Sequence, residues 1–288
     1  MFSLPRCSLL LLAGLLAACA GAPSTTPLAD RGQTTRLKAA QHFRECRTQL
    51  ALAEYRKVLY LAELRDDHRD IATALLNLGT IQLVRGEYAE AEAQLQQAQS
   101  RFEQLGDGDA TLQAGIGLAT LRVKQGRAAE GLDGYRRLQQ RFDQKKGHLP
   151  LLQVMLWNGT ASAHKELADY AQAHAALDRA EELLAGMEAP RDLAATWMNR
   201  ARIHFQQGDL QKAKQAAVQA LAKDRGTENS LGIGTDLLLL GMIAERQGAP
   251  AQARQHLRQA ASLFDYCGLE RKRFFSAEQL RLLDKTAR

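Results

Sequence analysis

The chain has 288 residues, of which 38 are Lys or Arg and 32 Asp or Glu; 45% are hydrophobic and only 6 are proline. Alanine, leucine, glutamine and arginine dominate, which suits a helical chain. The positive balance is mild and interspersed, with no basic stripe carrying aromatics for base stacking, so nucleic-acid binding is excluded as the main function.

At the N-terminus Arg6 precedes an apolar run from Leu9 to Ala18, too short to span a membrane comfortably and shaped like a secretory signal over residues 1–18. The run closes on Leu16-Ala17-Ala18-Cys19, which resembles a bacterial lipoprotein box. The resemblance implies that signal peptidase II cleaves before Cys19 and that Cys19 carries the lipid. The alternative is cleavage after Ala20 or Ala22 by the ordinary peptidase, which would release a soluble secreted protein. Ala20 is not the aspartate that retains such lipoproteins in the inner membrane of enteric bacteria. The expected location is therefore the outer membrane, facing the periplasm. Residues 19–32, rich in Ala, Gly, Pro, Ser and Thr, read as a flexible tether.

From residue 33 to 266 one small-residue pattern recurs six times. Its anchors are Ala39, Gly79, Ala119, Ala161, Ala201 and Gly241, with steps of 40, 40, 42, 40 and 40. A helix-ending position follows each anchor: Cys46, Gly86, Gly126, Ala168, Gly208 and Gly248. Next comes a second small column of Ala51, Ala91, Gly131, Ala173, Ala213 and Ala253. Small residues at one level of two consecutive helices let them pack closely. Tyr55, Leu95, Tyr135, Leu177 and Leu257 then fill the space against the neighbouring unit. Asn77-Leu78-Gly79 followed by Gly86-Glu87-Tyr88-Ala89-Glu90-Ala91 resembles the tetratricopeptide repeat in a forty-residue variant. The resemblance implies an all-α, right-handed solenoid of about six helix pairs. Hinges are expected near 65–69, 105–109, 145–150, 186–190 and 224–230. The two extra residues between repeats three and four predict the longest internal loop, or a change in superhelical pitch, at 145–150.

Residues 267–288 form a C-terminal capping segment. Ser276-Ala277-Glu278-Gln279 reads as a capping box opening a short helix, with Leu280 and Leu283 on the face that covers the last repeat. Cys46 and Cys267 lie at opposite ends of the array. The intervening repeats should hold them apart along a solenoid, so they are expected as buried small hydrophobic residues rather than as a disulfide.

No catalytic constellation emerges, and no cofactor or metal is expected. The seven histidines form no His-Glu-x-x-His pattern, and His42 with Cys46 supplies only two metal ligands. Gly115-Ile116-Gly117 and Gly232-Ile233-Gly234 lack the remainder of a phosphate loop and fall where helices need close packing.

The resemblance places the first helix of each pair on an inner, concave face. Its candidate peptide-groove residues are Asn77, Thr80, Thr120, Lys124, Asn158, Ser162, Asn199, Arg202 and Gln206. An asparagine amide both donates and accepts, so it can hold a peptide unit whatever the side chain. Asn77 and Asn199 match the asparagine ladder of peptide-binding relatives, but Leu37, Gly117, Gly159 and Leu239 interrupt it. These asparagines either grip a ligand or satisfy their own backbone. The expected function is a lipid-anchored periplasmic scaffold that binds a protein or peptide partner. By resemblance it would serve pilus or secretion assembly, or cell-wall machinery. The alternative is a permanently assembled structural subunit with no exchangeable ligand.

Overall fold

The computed structural model describes residues 27–144 and 147–286. Among them lie thirteen α-helices and no strand. In chain order these are α1 (Pro27–Arg44), α2 (Thr48–Glu63), α3 (His68–Arg85), α4 (Tyr88–Gln104), α5 (Gly108–Lys124), α6 (Ala128–Gln144) and α7 (Pro150–Glu166). They continue with α8 (Tyr170–Leu184), α9 (Pro190–Gln207), α10 (Leu210–Gly226), α11 (Ser230–Arg246), α12 (Pro250–Tyr266) and α13 (Glu270–Thr286). Each odd-numbered helix packs on the even-numbered one that follows, and each pair packs on the next. None of the described helices is long and apolar enough to cross a membrane.

The helices stop where the sequence column places them. Cys46, Gly86, Gly126, Ala168, Gly208 and Gly248 all have positive φ, from 58° to 81°. The left-handed residue turns the chain so that the next amide reaches back five residues. Glu87 N donates to Gln82 O at 2.9 Å, and Asp209 N to His204 O at 2.9 Å. Helices start as sharply. Asp67, Asp107, Asp169, Asp209 and Asn229 each accept a hydrogen bond from the backbone N–H three residues on. Proline opens α7, α9 and α12, where its missing N–H costs nothing.

Packing follows from the small columns. Ala39, Ala161, Ala201, Ala51, Ala91, Ala173, Ala213 and Ala253 are fully buried. At Gly79 an added Cβ would stand 2.7 Å from Leu95 Cγ, so this anchor has no room even for alanine's methyl. The large residues of the pattern fill the seams: Leu95, Leu177 and Leu257 are fully buried and Tyr135 nearly so. Each such side chain contributes about 1.5–3 kcal/mol by leaving water.

Four expectations are corrected. First, α1 begins at Pro27, so residues 27–32 of the expected tether are helix; Pro27 sits in the first turn with Asp30 beside it, and Gly32 is buried. Second, α13 begins at Glu270, not at Ser276. Ser276 is fully buried inside the helix, and its Oγ donates to Lys272 O at 2.9 Å instead of capping an N-terminus. Leu283 nevertheless joins Ala244, Ala253 and Leu257 in one cluster. Third, a further long joint stands beside the one expected at 145–150, whose residues 145–146 lie outside the described residues: five residues, 185–189, separate α8 from α9.

The fourth correction concerns the two cysteines. Cys46 and Cys267 form a disulfide, with Cα atoms 4.8 Å apart across 221 residues of sequence. The superhelix has turned far enough over six pairs to bring its end back to its beginning. Neighbouring groups share the clasp. Thr48 Oγ1 donates to Cys267 O at 2.7 Å, and Arg85 Nη1 donates to Gly268 O at 3.1 Å. The Arg271 guanidinium lies 5.3 Å from the centre of the Tyr88 ring. Cys46, Cys267 and Leu269 belong to the same buried cluster as the last repeats, with Val84 packed against it.

Candidate protein-binding face

Asn77, Thr80, Thr120, Lys124, Asn158, Ser162, Asn199, Arg202 and Gln206 fall on α3, α5, α7 and α9, the first helices of four pairs. Several of them are occupied locally. Asn77 Nδ2 donates to Thr73 O at 2.8 Å, and Thr80 Oγ1 donates to Leu76 O at 2.8 Å. Thr120 Oγ1 donates to Ile116 O and lies 2.7 Å from the Tyr135 hydroxyl. Burial pushes that hydroxyl up to about 12, so it stays protonated.

Asn158 and Asn199 are brought together. Asn199 Nδ2 donates to Asn158 Oδ1 at 3.0 Å, while Asn158 Nδ2 donates to Thr196 Oγ1 at 2.9 Å and to Val154 O at 3.2 Å. This amide chain stitches α7 to α9. Asn77, on α3, is not part of it. At Gly159 an added Cβ would meet the Tyr135 ring at 2.3 Å, so that gap in the ladder is room for a core side chain. Leu239, at the equivalent place on α11, is itself buried.

The charged members behave differently. Lys124 is exposed at the end of α5, while its ammonium is partly desolvated and feels the charges of Arg202 and Lys165. Together these push its pKa down to about 8. Arg202 is half-buried and also depressed by desolvation, with Asp236 and Glu166 opposing. Lys272, from the first turn of α13, completes the group. Desolvation first, then Arg202 and Lys124, bring it down to about 7. Lys165 is ion-paired with its neighbour Glu166.

Two buried carboxyls, Asp236 on α11 and Asp224 on α10, lie against each other, and Arg202 feels the first. Asp236 is buried on α11 against Asp224, and burial together with that neighbour raises its pKa to about 8. Asp224 also accepts from Asn229 Nδ2 at 2.9 Å. Lys272 and Asp236 lie outside the repeat register that marks the concave positions. Lys272 belongs to the segment after the sixth repeat, and Asp236 sits one turn before the concave positions of α11. Among the described residues no cluster of three or more metal-ligating side chains occurs. Cys19 and the signal lie outside the described residues.

An array of helix pairs that repeats its packing columns and turns one helix of every pair inward defines a repeat solenoid of the protein-interaction class. The chain belongs to the tetratricopeptide-repeat family: the Tetratricopeptide repeat model matches residues 30–104 and 192–265, together more than half of it. No curated protein matches the chain. Among solved structures it is similar to a Rap protein complexed with Competence and Sporulation Factor, with a TM-score of 0.66, 14% identity, and coverage of 91% of this chain and 76% of that one. It is also similar to PilW, a type IV pilus biogenesis factor (TM-score 0.52, 16% identity, 88% and 98% covered). A third is Aspartyl phosphate phosphatase F from Bacillus subtilis (TM-score 0.57, 12% identity, 88% and 70% covered). At such identities the likeness carries the fold alone.

Proposed function

We propose that this protein is a non-catalytic scaffold of the bacterial envelope that receives a partner protein on its concave face while Cys19 holds it to the outer membrane. The observation that carries this reading is the set of Lys124, Arg202 and Lys272 on α5, α9 and α13, cations that feel one another's charge. They make no hydrogen bond or ion pair among the described residues. Folding gains nothing from bringing unpaired cations close together, so a ligand is the natural recipient of them. That a Rap protein of the same fold was solved in complex with a factor supports a binding role. The Cys46–Cys267 disulfide supports an oxidising compartment, since such bonds persist in the periplasm and are reduced in the cytosol.

The test is purification from detergent-solubilised envelope after metabolic labelling with a fatty acid. The reading expects label on the wild type, none on Cys19→Ser, and a co-purifying protein that is lost when Arg202 is changed to Glu. An unlabelled wild type released by osmotic shock would overturn the anchor. The reading of a permanently assembled subunit is favoured by Phe274 and Phe275, exposed side by side on α13. It predicts instead a partner lost on Phe274→Ser and retained on Arg202→Glu.

A further inference from the structure

We propose that the outward face of α2 is a membrane-seating surface, on which the first helix pair lies against the lipid bilayer that Cys19 ties it to. This rests on the Cys19 anchor of the reading above and adds the surface that meets the lipid.

Leu50, Ala53, Lys57, Tyr60 and Leu64 follow one another along α2 in alternating steps of three and four residues, with Leu64 at the C-cap. That spacing keeps them on one face of the helix. All five are exposed, Leu50 by 48%, Tyr60 by 60% and Leu64 by 55%. The same column recurs in every later pair and is exposed there too. On α4 it reads Glu90, Ala93, Gln97, Ser100 and Gln104, none of them large and apolar. Along α6, α8, α10 and α12 it is again polar or small, except for Tyr266. An exposed apolar stripe gives a fold nothing in water, so its place on the first pair calls for a surface met there.

The chain before this pair names that surface. α1 opens at Pro27, eight residues after Cys19. Eight residues span at most about 29 Å. A lipid on Cys19 therefore keeps the first pair within reach of the bilayer. The side chains suit an interface: leucines enter the acyl boundary, and the tyrosine ring sits at headgroup level with its hydroxyl in water. Lys57 is shared with Glu54 at 2.9 Å, and Arg56 beside it brings a second cation to the phosphate layer. A cleft of about 460 Å³ runs between α1 and α2, lined by Asp30, Arg31, Thr34, Lys57, Tyr60 and Leu61 among others. It gives a headgroup a polar recess beside the stripe.

The experiment uses the lipidated chain, weighed by mass spectrometry for lipid on Cys19, in vesicles of phosphatidylethanolamine and phosphatidylglycerol. Cys46 and Cys267 are joined, so one added cysteine takes an environment-sensitive NBD dye. Ala53→Cys puts the dye within the stripe, and Ala93→Cys puts it at the matching place on α4. Fluorescence at 53 should rise about twofold or more on vesicles and be quenched by lipids with a nitroxide on the acyl chain, while that at 93 stays level. Adding Leu50→Ser/Leu64→Ser should abolish the response at 53 and leave the melting temperature unchanged, because both side chains are exposed. Equal responses at 53 and 93 would overturn the inference. So would a rise at 53 that needs no vesicles and grows with protein concentration, which would seat a second copy of the chain on the stripe. Lipid on Cys19 with no response at 53 defeats this inference alone, and a chain without that lipid defeats the anchor and the inference together.

Discussion

Ala168 occupies a turn position where four other repeats have glycine, and it adopts the same left-handed backbone at φ 58°. A side chain there costs about 1–2 kcal/mol that glycine avoids. Ala168→Gly should therefore raise stability by about 1 kcal/mol in urea melts, and a lower midpoint would contradict the turn assignment. Gly159→Ala should do the opposite, since its Cβ would sit 2.3 Å from the Tyr135 ring. Overpacking of this kind typically costs about 1–3 kcal/mol. Asp236 gives a pH signature. Its carboxyl is raised from an ordinary 3.8 to about 8, so between those values the folded chain holds a proton that the unfolded chain has released. Stability then falls as pH rises through that window. Asp236→Asn should flatten the fall between about pH 4 and pH 7, below the range where Lys124 and Lys272 release protons early and act in the opposite sense. Parallel pH profiles for variant and wild type would show that Asp236 is not held neutral.

At the scale of the element, the repeat columns made helix ends and seams legible because both are local: a small residue, a turn residue and a fixed spacing suffice. The start of α13 escapes the sequence for a local reason too. Ser276-Ala277-Glu278-Gln279 has the letters of a capping box, but Gly268 is the true stop signal. It lies as far beyond Gly241 as Gly106 lies beyond Gly79, and both have φ of 68°. The Cys46–Cys267 disulfide could not be read this way, because it depends on rotation accumulated over six helix pairs and no short stretch records it. The same holds for Lys272, which reaches the concave face only because α13 returns to the first repeats. Reduction, or Cys46→Ala with Cys267→Ala, should cost about 2–5 kcal/mol, as loss of a native disulfide typically does. The damage should appear as faster amide exchange in α1, α2 and α13, while α7 to α10 stay protected. Identical melts with and without reductant would mean that the ends are held without the bond.

For the molecule as a whole, Lys124, Arg202 and Lys272 have no ion-paired partner among the described residues, whereas other basic side chains are paired within their own helices. Arg136–Asp133 on α6 and Arg281–Glu278 on α13 are examples, at 3.4 and 2.6 Å. Exposed pairs of this kind contribute little to stability and leave no residual field for a partner. The concave face is thus where binding should occur. The direct test is site-specific photocrosslinking in living cells, with a benzophenone amino acid in place of Gln206 on α9 or of Arg137 on α6. The account predicts one discrete adduct of higher mass from Gln206 and none from Arg137, with the Gln206 adduct lost when Lys124 and Lys272 are changed to glutamine. An adduct from Arg137 alone would contradict it and place the partner on the outer surface.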